Sequence, residues 1–375
     1  MAMVSEESVR EALRRVVEPE IGRSIVDLGM IRGVETREDG SVRVYVLLPL
    51  ASESSRDGLG RAVEEAVRGV DGVKRVDVAL GEMTSDERSE LVNRLRPPAL
   101  LQGANPNPTY FTDGTTTVVA VASGKGGVGK SSVTVNLACA LAAEGHRVGV
   151  VDVDVWGFSV PRMLGLSGRQ PSALNSQVIL PLESHGVKVI SMGFFVTEET
   201  PVIWRGPMLH KAVQQFLGDV FWGDLDFLLC DLPPGTGDVS ISLASFMPGA
   251  KMLVVTTPQE ASRKVAERAG LMATQTKMEP VGVVENMSWY VCPHCGEREA
   301  LFGSGGGEEA SKTLGVPLIG QIPLEPAVRE GADAGVPVVV SSPDSPAGEA
   351  LFATARELAR VSRRMVGRPL NLQAR

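Results

Sequence analysis

One glycine-rich segment constrains the fold of this chain more strongly than any other part of its sequence. Residues 124–131 read G-K-G-G-V-G-K-S; an apolar run at 118–122 precedes them and a helical stretch at 131–143 follows. Glycines at this spacing let successive backbone N–H groups turn inward around phosphate oxygens, and the N-terminus of the next helix adds its dipole. The segment therefore predicts a phosphate-binding loop between a strand and a helix.

The side chains of this loop predict where a nucleotide and its metal ion bind. We expect Lys130 to reach the β- and γ-phosphates and Ser131 to bind Mg²⁺. The residues expected to contact the nucleotide are Gly124, Lys125, Gly126, Gly127, Val128, Gly129, Lys130, Ser131 and Ser132. The alternative is a glycine-rich turn that binds no nucleotide, and the occurrence of glycine, lysine and serine in one register argues against it.

The pattern after the loop predicts an α/β fold. Further apolar runs occupy residues 148–153, 227–232, 252–256 and 281–284, and helical segments lie between several of them. Continuous apolar strands that alternate with helices indicate a parallel sheet covered by helices on both faces. We therefore predict a P-loop domain with such a sheet over residues 116–375.

Residues 1–95 predict a separate, small α+β domain. Apolar residues at helical spacing predict one helix over residues 9–17, after a cap at Ser5, and another around residues 59–67. The predicted strands lie at residues 30–34 and 42–48, joined by a turn at Asp39-Gly40, and at 76–80. Residues 96–115 are rich in Pro, Asn, Thr and Gly and form the predicted linker.

Composition narrows the class of protein. Of the 375 residues, 43% are hydrophobic and 22% are charged, which is ordinary for a globular protein with a core. The net charge is −8 and no half of the chain is basic, so we expect no nucleic-acid partner. Four cysteines make no disulfide framework and are typical of a reducing compartment. Because no signal peptide and no long apolar run is recognised, we expect a soluble, cytoplasmic protein that does not bind membranes.

Acidic residues at strand ends complete the predicted nucleotide site. Asp152 and Asp154 end the apolar run at 148–153, and Asp231 ends the run F-L-L-C-D. In an open α/β sheet, ligands bind outside the carboxyl ends of the strands, where these carboxylates are expected. A single aspartate at a strand end is usually a cap, but this set at the correct spacing favours metal and water chemistry.

A pair of cysteines, Cys292 and Cys295, is the second informative pattern. A C-x-x-C in a reducing compartment most often binds a metal or does redox work, and this one follows no thioredoxin-like strand-to-helix turn. A tetrahedral site needs four ligands. Cys139 and Cys230 lie in a predicted helix and strand of the core, and His294 would be only a third ligand. We therefore predict that two chains each donate Cys292 and Cys295 to one shared site, which suits a [4Fe–4S] cluster or Zn²⁺ equally.

The motifs, taken in order, are similar to those of a known family. The chain resembles the Mrp/ApbC family of iron–sulfur carrier ATPases in the motifs G-K-G-G-V-G-K-S, D-V-D-V-W-G, D-L-P-P-G-T-G-D, V-E-N-M-S, C-P-H-C-G, F-G-S-G-G-G and G-Q-I-P-L-E-P. This resemblance spans roughly residues 115–345. The first domain resembles the small domain of cytosolic iron–sulfur assembly factors, but residues 51–55 read A-S-E-S-S where that domain often has a cysteine.

The resemblance implies a function and its cofactors. It implies a homodimeric ATPase that uses ATP and Mg²⁺, holds a [4Fe–4S] cluster at the dimer interface, and exchanges the cluster with donors and apoproteins. The additional lysine, Lys125, marks the deviant Walker A class, in which this lysine reaches the nucleotide of the partner subunit. The resemblance places Asp152 near Mg²⁺, makes Asp154 the residue that orients the attacking water, and makes Asp231 the Walker B carboxylate.

The same resemblance extends to the adenine pocket and to a switch loop. Asn286 is similar to the adenine-contacting asparagine of the family, and Pro323 with its neighbours would line the other side of the base. Residues 233–238, P-P-G-T-G-D, resemble the switch II loop that senses the γ-phosphate.

Three other functions compete with the carrier hypothesis. A positioning ATPase like MinD or ParA shares the nucleotide chemistry, but it gives the C-x-x-C no role, and the basic stretch at 356–368 is interpreted as part of a domain-capping helix. A reductase like the nitrogenase iron protein uses single, widely separated cysteines. A zinc-bridged ATPase chaperone would use the same cysteines as the carrier, so that alternative stays open at this point.

Overall fold

A computed structural model describes residues 4–50, 53–95, 111, 115–154, 157–175, 178–195, 206–235, 238–247, 249–259, 262–292 and 294–362. The chain divides into two compact units. The first unit comprises Met1–Pro106, Ser172–Leu180 and Asp219–Gly223, and the second comprises Asn107–Pro171, Pro181–Gly218 and Asp224–Arg375. Most of the predicted linker at 96–115 lies outside the described residues.

The first unit begins with a small α+β arrangement, as the sequence predicts. Its elements are α1 (Glu6–Leu13), β1 (Val17–Glu18), β2 (Arg23–Ser24), β3 (Ile31–Thr36), β4 (Ser41–Leu48), α2 (Glu53–Arg68), β5 (Arg75–Glu82) and α3 (Ser85–Leu95). Strands β3 and β4 form an antiparallel hairpin, and α2 connects β4 to β5, which pairs with β4 in parallel.

Helix α1 is shorter than its apolar pattern predicts. The hydroxyl of Ser5 accepts a hydrogen bond from the N–H of Ser8 at 3.1 Å, so the helix begins at the predicted cap. It ends at Leu13, because Val17 belongs to β1, where it pairs with Ser24 and is 50% exposed. The apolar pattern at 9–17 therefore combines a helix with the strand that follows it.

Helix α3 is an element that the apolar pattern does not predict. It starts with a capping box: the N–H of Thr84 donates to Glu87 at 2.9 Å, and the N–H of Glu87 donates to the Thr84 hydroxyl at 3.3 Å. Its core contacts come from Leu91, Val92 and Leu95, which are buried. The sequence T-S-D-E at 84–87 is the signal that identifies this helix.

The rest of the chain alternates between strands and helices. Its elements are β6 (Thr117–Ala122), α4 (Lys130–Ala143), β7 (Val148–Asp152), α5 (Val160–Met163), β8 (Ala173–Asn175), β9 (Val178–Ile179), β10 (Leu182–Ser184), β11 (Val187–Ser191), a 3₁₀ turn (Met192–Phe194), α6 (Gly206–Gly218), β12 (Phe227–Asp231), α7 (Asp238–Phe246), β13 (Lys251–Thr256), α8 (Ser262–Thr276), β14 (Glu279–Val291), β15 (Arg298–Glu299), α9 (Gly306–Leu314), β16 (Leu318–Leu324), α10 (Pro326–Ala334), α11 (Val338–Ser341) and α12 (Pro346–Ser362). The β8–β9 hairpin belongs to the first unit.

One large sheet organises the second unit. Its strand order is β10-β11-β7-β12-β6-β13-β14-β15, and β16 also pairs with β14. The β10–β11 and β14–β15 pairs are antiparallel, and the other pairs are parallel. Every residue of β7, β12 and β13 is buried, which requires cover on both faces of the sheet. The predicted α/β fold with a parallel sheet is confirmed.

The sheet brings the predicted site residues to one edge. Strands β7, β12 and β6 are neighbours that point in the same direction, so their carboxyl ends meet. Asp231, at the end of β12, stands in register with Asp152 of β7. Strand β14 is far longer than the predicted strand at 281–284, because its polar continuation is also paired.

Candidate nucleotide site and cysteine hairpin

The glycine-rich loop forms an open concavity between β6 and α4. Gly127 and Gly129 have positive φ angles of 78° and 77°, a region that side chains with a Cβ rarely adopt. A Cβ added to Gly126 or Gly127 would meet no atom of the described residues within 4 Å, so the loop leaves room for a ligand. Helix α4 has no side-chain cap, which leaves its first N–H groups available to phosphate oxygens.

Lys130 and Ser131 point into a cluster of acidic residues at the strand ends. The Lys130 Nζ lies 2.7 Å from Asp231 Oδ1 and 3.9 Å from Asp154 Oδ2. The Ser131 hydroxyl donates to Asp231 Oδ2 at 2.5 Å, and the Thr134 hydroxyl donates to Asp231 Oδ1 at 2.8 Å. The structure therefore brings the predicted loop residues and carboxylates together, and it adds Thr134 to the set.

Asp152, like Asp231, is fully buried. It accepts hydrogen bonds from the Ser191 hydroxyl at 2.8 Å and from the N–H of Asp154 at 3.1 Å. Burial, and then the neighbouring Asp231 carboxylate, raises the pKa of Asp152 to about 8. The Ser131 hydroxyl and the Asp231 carboxylate lie together at this edge, and such oxygen atoms are the ligands that a hard divalent cation such as Mg²⁺ prefers.

Lys125 and Gly124 are held by a neighbouring part of the same chain. The Lys125 Nζ donates to Gln259 Oε1 at 2.6 Å, and the Arg268 guanidinium donates to the Gly124 carbonyl at 3.1 Å. Arg268 lies on α8 and was not expected from the sequence, because no local pattern links it to the loop. The role of Lys125 towards a partner subunit stays a prediction.

The predicted adenine-pocket residues lie beside the loop. The side-chain amide of Asn286 donates to the Val128 carbonyl at 2.9 Å, and a Cβ on Gly129 would collide with that amide. Asn286 stands in register with Ile322 of β16, next to the buried Pro323. The structure thus brings Asn286 to the loop and places Pro323 next to its strand partner Ile322, while the contact of both residues with adenine stays a prediction.

The start of the predicted switch loop also touches the phosphate loop. The N–H of Gly235 donates to the Ser123 carbonyl at 3.0 Å, and the Ser123 hydroxyl is buried without a hydrogen-bond partner among the described residues. The predicted residues that lie outside the described part of the chain are Ala51, Ser52, Trp156, Thr236, Gly237, Pro293, Arg363, Arg364 and Arg368.

The cysteine pair lies at the tip of a hairpin formed by β14 and β15. Tyr290 pairs with Glu299 and Val291 with Arg298, so the paired backbone reaches the residue before Cys292. The N–H of Cys292 donates to the Glu297 carbonyl at 3.0 Å, and the N–H of Gly296 donates to the Cys292 carbonyl at 2.8 Å. Both cysteines are free thiols; Cys292 is half-buried and Cys295 is exposed.

The four cysteines fall into two chemical classes. The backbone N–H groups of Cys295 and His294, followed by the Cys295 thiol, lower the pKa of Cys292 by hydrogen bonding. Burial raises the pKa of Cys139 to about 12, and it raises the pKa of Cys230 as well. Among the described residues, no group of three or more His, Cys, Asp or Glu side chains is placed to bind a metal ion.

Comparison with known proteins finds two family models that match this chain. Residues 114–359 match the family model described as ParA: NUBPL iron-transfer P-loop NTPase, and residues 6–78 match that of an iron–sulfur cluster assembly protein. The chain belongs to this family of P-loop NTPases. Within the described residues, the helices are all too short or too polar to cross a bilayer.

Relatives named iron–sulfur cluster carrier protein cover most of this chain. A protein named iron–sulfur cluster carrier protein from Mycobacterium leprae is 47% identical over 97% of this chain and 95% of its own length. A protein of the same name from Bacillus subtilis is 40% identical over 86% of this chain and 89% of its own length. A nucleotide-binding protein from Archaeoglobus fulgidus, solved in complex with ADP, is 38% identical with a TM-score of 0.53 over 60% of this chain and 88% of its own.

Proposed function

We propose that this chain is an ATP-hydrolysing carrier that binds an iron–sulfur cluster as cargo between two copies of itself and passes it to apoproteins. The observation that carries this proposal is the cysteine hairpin, which presents two free thiols at the end of the strand that also contacts the phosphate loop. The name that the relatives bear supports the nature of the cargo.

The nucleotide is bound and hydrolysed at the carboxyl edge of the sheet. The open loop accepts the phosphates through its N–H groups, and Lys130 offsets their negative charge. Ser131 and Asp231 would hold Mg²⁺, with Asp152 close by, and the bound ion supplies positive charge to the phosphate oxygens. Asp154, which lies at the rim of this cluster, orients the attacking water.

The cargo site is completed by a second chain. One hairpin supplies two thiolates, and the described residues of one chain gather no further ligands around them. Four thiolates from two hairpins suit a [4Fe–4S] cluster. The lowered pKa of Cys292 favours the thiolate that binds iron. We therefore propose a homodimer that receives its cluster from a donor protein in the cytoplasm and makes no use of nucleic acid or membrane.

Anaerobic reconstitution with iron and sulfide tests this function. The wild-type dimer should gain about four iron and four sulfide ions together with visible absorbance, and Cys292→Ala should lose all of these. Cys139→Ser is the matched control, since it removes a buried thiol and should leave the cluster in place.

Three results would contradict the proposal. One is an anaerobically purified protein that contains zinc in place of iron. Such a protein would lack visible absorbance, because Zn²⁺ gives none. The others are a monomer that carries a full cluster and a cluster that survives in the Cys292→Ala/Cys295→Ala double variant.

A further inference from the structure

Strand β14 contacts the nucleotide loop and continues into the cysteine hairpin within a few residues. Asn286 donates to the Val128 carbonyl of the loop, and Cys292 follows six positions later along the same strand and its turn. Residues 285–287, called the link segment below, lie between the two sites. The contacts of each of these three residues show how the segment is anchored.

Asn286 is anchored to the nucleotide side. It is 9% exposed, and its amide occupies the space that a Cβ on Gly129 would need. Because Gly129 is the N-cap of α4 and precedes Lys130, a shift of the loop cannot leave Asn286 where it is. The side chain of Asn286 therefore connects β14 directly to the loop.

Glu285 is anchored to α9 and β16, the elements that follow the hairpin in the chain. It is 2% exposed; one carboxylate oxygen accepts the N–H of Gly307 at 2.5 Å, and the other accepts the Gln321 amide at 2.9 Å. A Cβ on Gly307, in the first turn of α9, would lie 2.7 Å from the Cβ of Glu285, so a side chain there would force Glu285 or the helix to shift. The chain that leaves the hairpin is thus tied back to the link segment.

Met287 has a strained backbone between these anchors and the cysteines. Its φ is +59°, in the left-handed region that a residue with a side chain adopts at a cost. The register between β14 and β16 also shifts between Asn286 and Tyr290. The strain and the register shift coincide in β14, so Met287 is a position at which the part of the strand before it can change its angle to the part after it.

We propose that the link segment couples the two sites, with Asn286 and Met287 as positioning residues that make the hold of the cysteine hairpin on its cargo depend on the nucleotide. This inference rests on the proposed function, because it needs both a bound nucleotide and a bound cluster. Coupling of this kind is reciprocal: if the nucleotide changes the affinity for the cluster, the cluster changes the affinity for the nucleotide by the same factor.

The reciprocity provides a measurement on the full-length protein. The Kd of the ATP analogue AMP-PNP with Mg²⁺ is measured on cluster-free and on cluster-loaded protein, and the ratio of the two values is the coupling factor. In the wild type we expect a factor of about five or more, the lower end of typical allosteric coupling. The factor is a ratio within one variant, so a general loss of affinity leaves it unchanged.

Met287→Gly is the first variant. Glycine removes the cost of the left-handed conformation and loosens the strand at this point, so the coupling factor should fall to within about twofold of one. Lys277→Gly is the matched control, because Lys277 also has a positive φ, 55°, but lies in the turn before β14. It should keep the wild-type factor.

A second pair of variants tests the anchor at Glu285. Glu285→Ala removes both hydrogen bonds to the returning chain and should lower the coupling factor, while Glu285→Gln retains an oxygen for the N–H of Gly307 and should restore it. Thermal unfolding of each variant identifies a loss of fold, in which case Met287→Gly decides the question alone.

The outcomes separate this inference from the proposed function. If the wild-type protein takes up no cluster, the result contradicts both the proposed function and this inference. A cluster-loaded wild type with a coupling factor of one overturns the inference alone, and so does a Met287→Gly variant that keeps the wild-type factor. Loss of coupling in both Met287→Gly and Lys277→Gly also overturns it, since the effect would then not be specific to the link segment.

Discussion

The nucleotide site and the cysteine hairpin differ in how much of their chemistry one chain supplies. At the nucleotide site, Asp231 contacts Lys130, Ser131 and Thr134 of the same chain, and all of these residues except the half-buried Ser131 are buried. At the hairpin, the thiols of the half-buried Cys292 and the exposed Cys295 have no further ligand gathered around them in the described residues. The first site is organised within one chain, whereas the second, in the proposed function, is completed by a second chain. The proposal therefore expects a single folded chain to bind nucleotide and expects only a dimer to bind the cluster.

The largest expected effect concerns the nucleotide site, whose residues come from one chain. Lys130→Ala should reduce ATP turnover at least about 100-fold, because it removes the positive charge that stabilises the transferring phosphoryl group. A steady-state phosphate-release assay measures this. Lys312→Ala, at an exposed lysine of α9, is the control and should turn over ATP at the wild-type rate. Near-normal turnover in Lys130→Ala would contradict the interpretation of residues 124–131 as a catalytic phosphate-binding loop.

For the cysteine hairpin, the proposed function predicts that activity depends on both chains of the dimer. Dimers that combine one wild-type chain with one Cys292→Ala/Cys295→Ala chain should hold almost no cluster, because only two thiolates remain. ATP turnover should persist in the same preparation, because the nucleotide ligands come from other segments. Differently tagged chains, purified in tandem and analysed for iron, provide the measurement. A mixed dimer with a full cluster would show that one chain suffices.

Lys125 has features of both sites. It contacts Gln259 of its own chain, whereas its predicted target is the nucleotide of the partner subunit. Lys125→Ala should leave the Kd for ATP within about threefold of wild type and lower turnover about 10- to 100-fold, the range of one charge-assisted hydrogen bond. Equilibrium binding and turnover are measured side by side. A loss of binding as severe as that of Lys130→Ala contradicts the role in trans. Gln259→Ala is the control, and an equal loss of turnover there would assign the effect to the internal contact.

The smallest expected effect tests how much the hydrogen bond from Thr134 to Asp231 contributes to stability. Thr134→Val removes one hydrogen bond to the buried Asp231 and should lower the free energy of unfolding by about 1–3 kcal/mol. Thr313→Val removes a hydroxyl that bonds to its own helix at an exposed position, and it should change stability by less than about 0.5 kcal/mol. Denaturant unfolding compares the two, and equal effects would show that Asp231 does not need Thr134.

Local patterns account for what the sequence predicts correctly. The glycines of the loop and the apolar runs before Asp152 and Asp231 act over a few residues, so the strands and the P-loop can be recognised without the fold. The hydroxyls of Ser191 and Thr134 and the guanidinium of Arg268 reach the site through tertiary contacts. A serine on β11 or an arginine on α8 has no local mark that distinguishes it from a surface residue.

Two errors in the predicted elements have local causes. Helix α1 was predicted too long because the valines at its end keep an apolar spacing while the backbone changes to a strand. Strand β14 was predicted too short because Glu285, Asn286 and Ser288 are polar, although each is buried and hydrogen-bonded. Polarity in a strand indicates an end only when the polar groups face water.

Burial of Cys139 and Cys230 has a consequence for how the intact protein responds to thiol reagents. Their thiols stay protonated and shielded, whereas those of Cys292 and Cys295 are accessible at the hairpin. A native chain therefore presents two reactive thiols to an alkylating reagent and an unfolded chain presents four. If Cys292 and Cys295 bind the cluster as proposed, alkylation under mild conditions should abolish cluster binding and leave ATP turnover intact, and the number of reacted thiols distinguishes that loss from unfolding.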